Sequence, residues 1–139
     1  MGLYTQPNNL KNKKKVSSSL WIALAISALA PTATWALPQD GQVAAGSAAI
    51  SSPTSNSLHI NQTTDKAVIN WQSYNVAQQE SVHYQQPSSS SISLNRVNPN
   101  NGASAIFGSI TSNGRVWLIN PAGIWFGPGS YVNVAGLVA

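Results

Sequence analysis

The chain has 139 residues, room for one domain at most, and it contains no cysteine. Its formal charge of +4 resides near the start, in Lys11, Lys13, Lys14 and Lys15; from Leu37 onward Lys66, Arg96 and Arg115 balance Asp40, Asp65 and Glu80. A neutral body excludes the basic footprint of a nucleic-acid binder, and the missing cysteines exclude disulfide staples, which leaves a chain free to thread a narrow pore.

Residues 1–36 have the layout of a secretory signal peptide. Lys11 to Lys15 form a basic cluster, Leu20 to Ala30 an apolar run, and Thr34-Trp35-Ala36 puts small residues at −3 and −1 of a cut. Cleavage is expected between Ala36 and Leu37. A cut after Ala30 would face Pro31, whose fixed φ obstructs a peptidase. The apolar run, expected to be helical, falls short of the ~20 residues that span a bilayer. No cysteine follows it to carry a lipid anchor.

Residues 37–139 read as short strands separated by turns. Gly41 to Gly46 is turn, strand, turn, and Ser47 to Ile50 a second short strand. Leu58 to Asn61 alternates apolar with polar. Lys66 to Trp71 is β-branched and aromatic, entered through a turn at Asp65. Ser81 to Tyr84 alternates again, and Gln85 to Ser91 is a polar surface loop with Pro87 and four serines. Ile92 to Val97 is another strand, followed by dense turn chemistry from Asn98 to Gly102. Ala105 to Ile110 is an apolar run with a glycine inside, and Asn113-Gly114 favours a tight, hairpin-like turn. Val116 to Ile119 and Ile124 to Phe126 are strands broken by Asn120-Pro121-Ala122-Gly123 and Gly127-Pro128-Gly129. Tyr131 to Val134 closes the series.

No helical periodicity follows residue 37, so the class is all-β. A β-sandwich and a β-helix share this strand spacing. Two features favour the β-helix. Ile106-Phe107-Gly108 and Trp125-Phe126-Gly127 align at an offset of 19. Asn70, Asn95, Asn98, Asn120 and Asn133 stand at or near strand ends, where asparagines can stack in ladders between coils.

No catalytic constellation emerges. Nothing makes any two of Asp40, Asp65 and Glu80 converge as a glycosidase pair would require. His59 and His83 lie on strands with no metal-ligand spacing around them. No serine sits in a nucleophile elbow, and Gly127-Pro128-Gly129 lacks the lysine and helix of a phosphate loop. No enzyme activity, cofactor or metal is expected. Trp71, Trp117, Trp125, Tyr74, Tyr84 and Tyr131 could stack on sugars, which leaves a non-catalytic carbohydrate-binding β-helix module as the alternative function; aromatics on alternating strands more often fill a core.

Several stretches carry a resemblance when taken in order: Ile69-Asn70-Trp71-Gln72-Ser73-Tyr74-Asn75-Val76, then Leu94-Asn95-Arg96-Val97, then Leu118 to Gly127, then Val132-Asn133-Val134 and Gly136 to Ala139. Together with Leu37-Pro38 through Gly46 they resemble the N-terminal secretion domain of filamentous haemagglutinins and related adhesins of the two-partner secretion pathway. The resemblance implies a right-handed parallel β-helix with extra-helical strands over residues 37–139. It implies an address label that a TpsB-type outer-membrane transporter recognises through its POTRA domains, after Sec export and signal peptidase cleavage. The protein would then be secreted or displayed on a Gram-negative cell surface, where the fold nucleates β-helix growth. Glycan binding by a passenger region outside this chain is compatible with it; nucleic acid is not expected as a partner. The motif residues are Asn70, Trp71, Asn95, Arg96, Val97, Asn120, Pro121, Gly123 and Ile124. The family's usual Asn-Pro-Asn-Gly reads Asn120-Pro121-Ala122-Gly123 here, a departure that removes a turn hydrogen bond of about 1 kcal/mol. Family members continue past the equivalent of Ala139, so the chain reads as a truncated part of a longer product.

Overall fold

The computed structural model describes residues 36–139, and the expected leader lies outside them apart from Ala36. Twelve strands follow one another: β1 (Gln42–Ala45), β2 (Ala48–Thr54), β3 (Ser57–Gln62), β4 (Lys66–Trp71), β5 (Ser81–Gln85), β6 (Ile92–Val97), β7 (Ser104–Ile106), β8 (Ser109–Ser112), β9 (Arg115–Ile119), β10 (Ile124–Phe126), β11 (Tyr131–Asn133) and β12 (Gly136–Val138). One sheet has the order β2-β3-β5-β8-β11, a second β1-β4-β6-β9-β12, and a short third face pairs β7 with β10. Seven of the nine strand pairs are parallel. That count decides against a sandwich of antiparallel hairpins. The fold is a parallel β-solenoid of about three turns.

Each coil visits the first sheet, turns, visits the second, turns again and crosses the third face. Side chains alternate in and out along every strand. In β4 the sequence Lys66-Ala67-Val68-Ile69-Asn70-Trp71 buries Ala67, Ile69 and Trp71. β6 buries Ser93, Asn95 and Val97, and β9 buries Val116 and Leu118. The first sheet supplies Leu58, Ile60, Val82, Tyr84 and Ile110 from the opposite side.

The two antiparallel strands lie outside the coil. β1 runs along β4, and β2 along β3, so both cover the edges of the first turn. β2 reaches Thr54, beyond the Ser47 to Ile50 stretch expected from sequence, because β3 offers it a ladder on which Pro53 sits at a free edge. Both pairings slip, between Val43 and Ala45 and between Ser51 and Thr54. Bulges and a proline are features that keep an exposed edge from recruiting further strands.

Two expectations change, and one apolar run divides. The apolar run from Ala105 to Ile110 is not one strand: the chain turns a corner at Phe107-Gly108, ending β7 on the third face and starting β8 in the first sheet. Asn113-Gly114 makes a turn but no hairpin, since β8 and β9 belong to different sheets. Instead the Asn113 side chain copies a strand rung, accepting from the Gln86 N–H at 2.7 Å and donating to the Gln86 carbonyl at 2.6 Å. The internal repeat is real as coil stacking but falls one residue away from the expected alignment. Phe126 sits on Ile106 and Trp125 on Ala105, so Gly127 lies beneath the Phe107 ring, where a side chain would collide.

The ladder of like amides also differs from expectation. Asn70 stands in register with Arg96, Asn95 with Ile69 and Leu118, and Asn133 with Thr111, so none of these lies on another asparagine. Asn98 donates to the Gln72 side chain at 3.1 Å, and Asn120 reaches Gly102 and Ser104. The amide ladder is made by Gln62 and Gln86, one coil apart. Gln86 Nε2 meets Gln62 Oε1 at 3.4 Å and the Arg115 carbonyl at 3.2 Å, while Gln62 Nε2 donates to the carbonyls of Thr64, Asp65 and Ile92. Both glutamines are buried. They bond carbonyls of the turn at Thr64 and Asp65 and of the first residues of β6 and β9.

Candidate functional site

The residues selected from sequence separate into an interior group and an exterior one. Trp71, Asn95, Val97 and Asn120 point inward, whereas Asn70 and Arg96 point outward.

Asn95 is the centre of the interior group and is fully buried. Its Oδ1 accepts from Trp71 Nε1 at 2.9 Å and from the Tyr84 hydroxyl at 3.1 Å. Its Nδ2 donates to the Ser93 carbonyl at 3.2 Å and the Trp117 carbonyl at 3.3 Å. Trp71, Ser93 and Trp117 sit on successive coils, and Tyr84 comes from the facing sheet. One amide therefore fastens three turns and both walls. The Tyr74 hydroxyl meets that of Tyr84 at 2.7 Å, and its ring stands edge-on to Trp71 at 5.7 Å. This network leaves no buried side-chain donor or acceptor unpaired among the described residues.

Burial pushes the Tyr74 phenol up, against a smaller lowering by its hydrogen bond to Tyr84. Burial raises Tyr84 as well, followed by its proximity to Tyr74. A folded-state value above the unfolded 10.0 means that the unfolded chain loses its phenol protons first. The stabilisation is complete below about pH 10 and shrinks as the pH rises toward the folded values. Alkaline unfolding followed by tryptophan fluorescence is expected to begin above pH 10, and Tyr84→Phe is expected to weaken that dependence.

Asn120 closes the turn into the third face. Its Oδ1 accepts from the Ala122 N–H at 2.9 Å, its Nδ2 donates to the Gly102 carbonyl and Ser104 Oγ, and its carbonyl accepts from the Gly123 N–H at 2.9 Å. Gly123 has φ of 110°, a conformation that side chains resist. Asn120 thus supplies a side-chain turn bond of its own, and Ala122 is exposed where the family's asparagine would stand. Pro121 is exposed, and Ile124 is half-buried beside the core.

The exterior group belongs to the outer face of the second sheet. Arg96 Nε donates to Asn70 Oδ1 at 2.9 Å across neighbouring coils, and Ile119 follows in register. The adjacent row is Val68, Leu94, Trp117 and Val138, each in register with the next. Beyond it lie Lys66, Ile92 and Arg115. An apolar stripe thus runs along the outside of the solenoid, flanked by Asn70 and Arg96 on one side and by Lys66 and Arg115 on the other, with Ile119 and Ile92 extending it into both flanking rows. Sequence reading missed Val68 and Leu94 as a surface and took Trp117 only as one of the aromatics that could stack on a sugar. A signal was present: Ala67-Val68-Ile69 and Trp117-Leu118-Ile119 are unbroken apolar triplets, whereas a strand with one face in water alternates. The outer face of the first sheet is polar by contrast. His59 and His83 meet edge-on there with ring centroids 5.6 Å apart, and His83 Nδ1 lies 2.7 Å from Thr111 Oγ1. No group of three metal-ligating side chains converges among the described residues.

The three carboxylates share no hydrogen-bond partner among the described residues. Asp40 occupies a turn at φ 53°, Asp65 accepts from Ser91 Oγ at 3.1 Å, and Glu80 accepts backbone N–H groups. Of the aromatics, Trp71, Tyr74 and Tyr84 are buried and unavailable for stacking on a sugar; Trp125, edge-on to Phe107, and Tyr131 are exposed.

Residues 35–139 match the family model described as TPS secretion domain. Two curated relatives are heme/hemopexin-binding proteins of Haemophilus influenzae. One is 38% identical over 121 residues, covering 87% of this chain and 13% of the relative. The other, from the Rd strain, is 41% identical over 103 residues, covering 74% of this chain and 11% of its own length. The crystal structure of the HMW1 secretion domain from Haemophilus influenzae superposes with a TM-score of 0.67 at 36% identity, over 72% of this chain and 26% of that one. The chain spans a small fraction of the relatives it matches.

Proposed function

The chain belongs to the TPS secretion domain family, and on that premise we propose that residues 37–139 are the recognition module of a two-partner-secretion exoprotein. A TpsB-type outer-membrane transporter reads this module in the periplasm through its POTRA domains. Sec export delivers it there, and signal peptidase cuts between Ala36 and Leu37. The exoprotein then crosses to the cell surface or the medium. The free edges of β10, β11 and β12 template the next coils of a longer chain, because a parallel ladder extends by adding one strand per face. Haem or hemopexin binding, named for the relatives, is not carried over, since the matched stretch is 13% of such a protein.

The observation that supports the reading best is the outward stripe of Val68, Leu94 and Trp117 beside the Asn70–Arg96 pair. An apolar strip flanked by Asn70, Arg96, Lys66 and Arg115 on one sheet face has the composition of a binding surface. It lies outside the core, so it can be altered without opening the solenoid.

The test is secretion of the full chain with its cognate transporter. The double variant Leu94→Gln, Trp117→Gln is expected to lower the amount in the medium about tenfold, as loss of two anchor side chains does at an interface, while the periplasmic pool keeps its melting temperature. Binding to the purified POTRA region should fall in parallel. Undiminished secretion and binding would remove this face from the mechanism.

A further inference from the structure

Glu80 is 4% exposed, and the proposed recognition face makes no use of it. Its Oε1 accepts from the Ala77 N–H at 2.8 Å, and both carboxylate oxygens lie 3.2 Å from the Ala36 nitrogen. A forked approach of two oxygens to one nitrogen suits a group with several hydrogens better than a single amide N–H. The three cations of the described residues are placed elsewhere. Arg96 bonds Asn70, Arg115 bonds the Ser90 carbonyl, and Lys66 opens β4 in register with Ile92. A buried carboxylate without a cation is costly unless something completes it.

The completing group is one residue away. Leu37 is buried in the core cluster and Pro38 is buried beside it, which anchors the backbone immediately after Ala36. Cleavage between Ala36 and Leu37 consumes one water. Ala36 leaves with the new carboxylate, and the Leu37 nitrogen keeps the electron pair of the broken bond and takes up protons to become an ammonium. An α-amino group has a pKa near 8, so it is mostly charged at neutral pH. The Leu37 nitrogen lies three bonds along from the Ala36 nitrogen, about 4.3 Å of chain.

We propose that Glu80 forms a buried receptor for the α-ammonium group of Leu37, so that removal of the leader completes the first coil of the solenoid. The inference rests on the export reading above. The processed chain gains an ion pair where the leader-bearing chain holds a neutral amide. Stability is thereby linked to processing, and the finished fold is favoured once the leader is gone.

The experiment compares the full chain made with its leader retained and the product purified after export, each as wild type and as Glu80→Gln. The glutamine keeps an acceptor for Ala77 but carries no charge. Glu80→Gln is expected to lower the melting temperature of the processed chain by roughly 5–10 °C and to change the leader-bearing chain much less. Equal losses in both forms would assign Glu80 to backbone hydrogen bonding alone and overturn the proposal. A second measurement needs only the wild type: the Leu37 amine is expected to acylate about tenfold more slowly than the same amine in an unstructured peptide, as pairing with a carboxylate holds it protonated. An equal rate overturns the proposal. Mass spectrometry of the exported product separates the two levels. A start other than Leu37 removes the cleavage premise along with the proposal and leaves the export reading standing, whereas a start at Leu37 with equal Glu80→Gln losses removes the Glu80 assignment only.

Discussion

Asn95→Ala is expected to destabilise the domain by on the order of 3–5 kcal/mol, measured by urea unfolding. The side chain has no exposure, so water cannot replace it at the surface. Its removal takes the acceptor from Trp71 Nε1 and from the Tyr84 hydroxyl, and the donor from the Ser93 and Trp117 carbonyls. Tyr84 retains Tyr74, but the indole N–H has no second partner in the network. Each buried group left unpaired costs about 1–3 kcal/mol, and the cavity adds to that. A domain of this size has only about 5–15 kcal/mol to lose. Asn95→Asp should fare no better, because an oxygen would then face the two carbonyls. Trp71→Phe removes one donor and its need together, so combining it with Asn95→Ala should cost less than the sum of the two. A loss under 1 kcal/mol for Asn95→Ala would show that the network does not hold the coils.

That network also marks where sequence reading stops. β4 and β6 were legible residue for residue, from Lys66 to Trp71 and from Ile92 to Val97, because local turn chemistry brackets a run of β-branched and aromatic residues. The parallel solenoid was legible from class, family resemblance and spacing together. Pairing register was not. It depends on contacts between residues 20 to 30 apart, and corners of unequal length shift it from coil to coil: Val76 bridges Ile106, while Ile106 pairs with Phe126. Matching letters therefore gave an offset of 19 where geometry has 20, since Phe107 turns the corner while Phe126 still lies in a strand. Gln62 and Gln86 carried no local signal, because a glutamine becomes a rung only when another coil brings carbonyls to it. Within the candidate site, the motif residues were found but their sides were not. Asn95 and Asn70 look alike as letters; alternation sends one to the core and the other to the outer face.

Gly108→Ala is expected to cost about 3 kcal/mol or more, because the new methyl has nowhere to go. A Cβ at this corner would meet the backbone carbonyl oxygens of Ala77 and Glu80, and Val76 Cγ1 at 2.7 Å. Carbonyl oxygens of a neighbouring coil cannot swing aside as a flexible side chain does. The corner is pinned at several points: the Phe107 and Gly108 N–H groups both donate to the Val76 carbonyl, at 2.7 and 3.1 Å, and the Ser109 N–H donates to the Glu80 carbonyl at 3.1 Å. To admit a methyl group, the corner must move out and stretch all three bonds, along with the Val76–Ile106 bridge. Gly129→Ala provides the contrast. Its Cβ meets nothing within 4 Å, so only the left-handed backbone at φ 81° opposes it, at about 1–2 kcal/mol. Thermal unfolding of the two variants side by side should therefore show the larger drop for Gly108→Ala, although its φ is unexceptional. Equal drops would mean that the corners of successive coils are not in contact, and that the stacking of the third face is looser than these hydrogen bonds require.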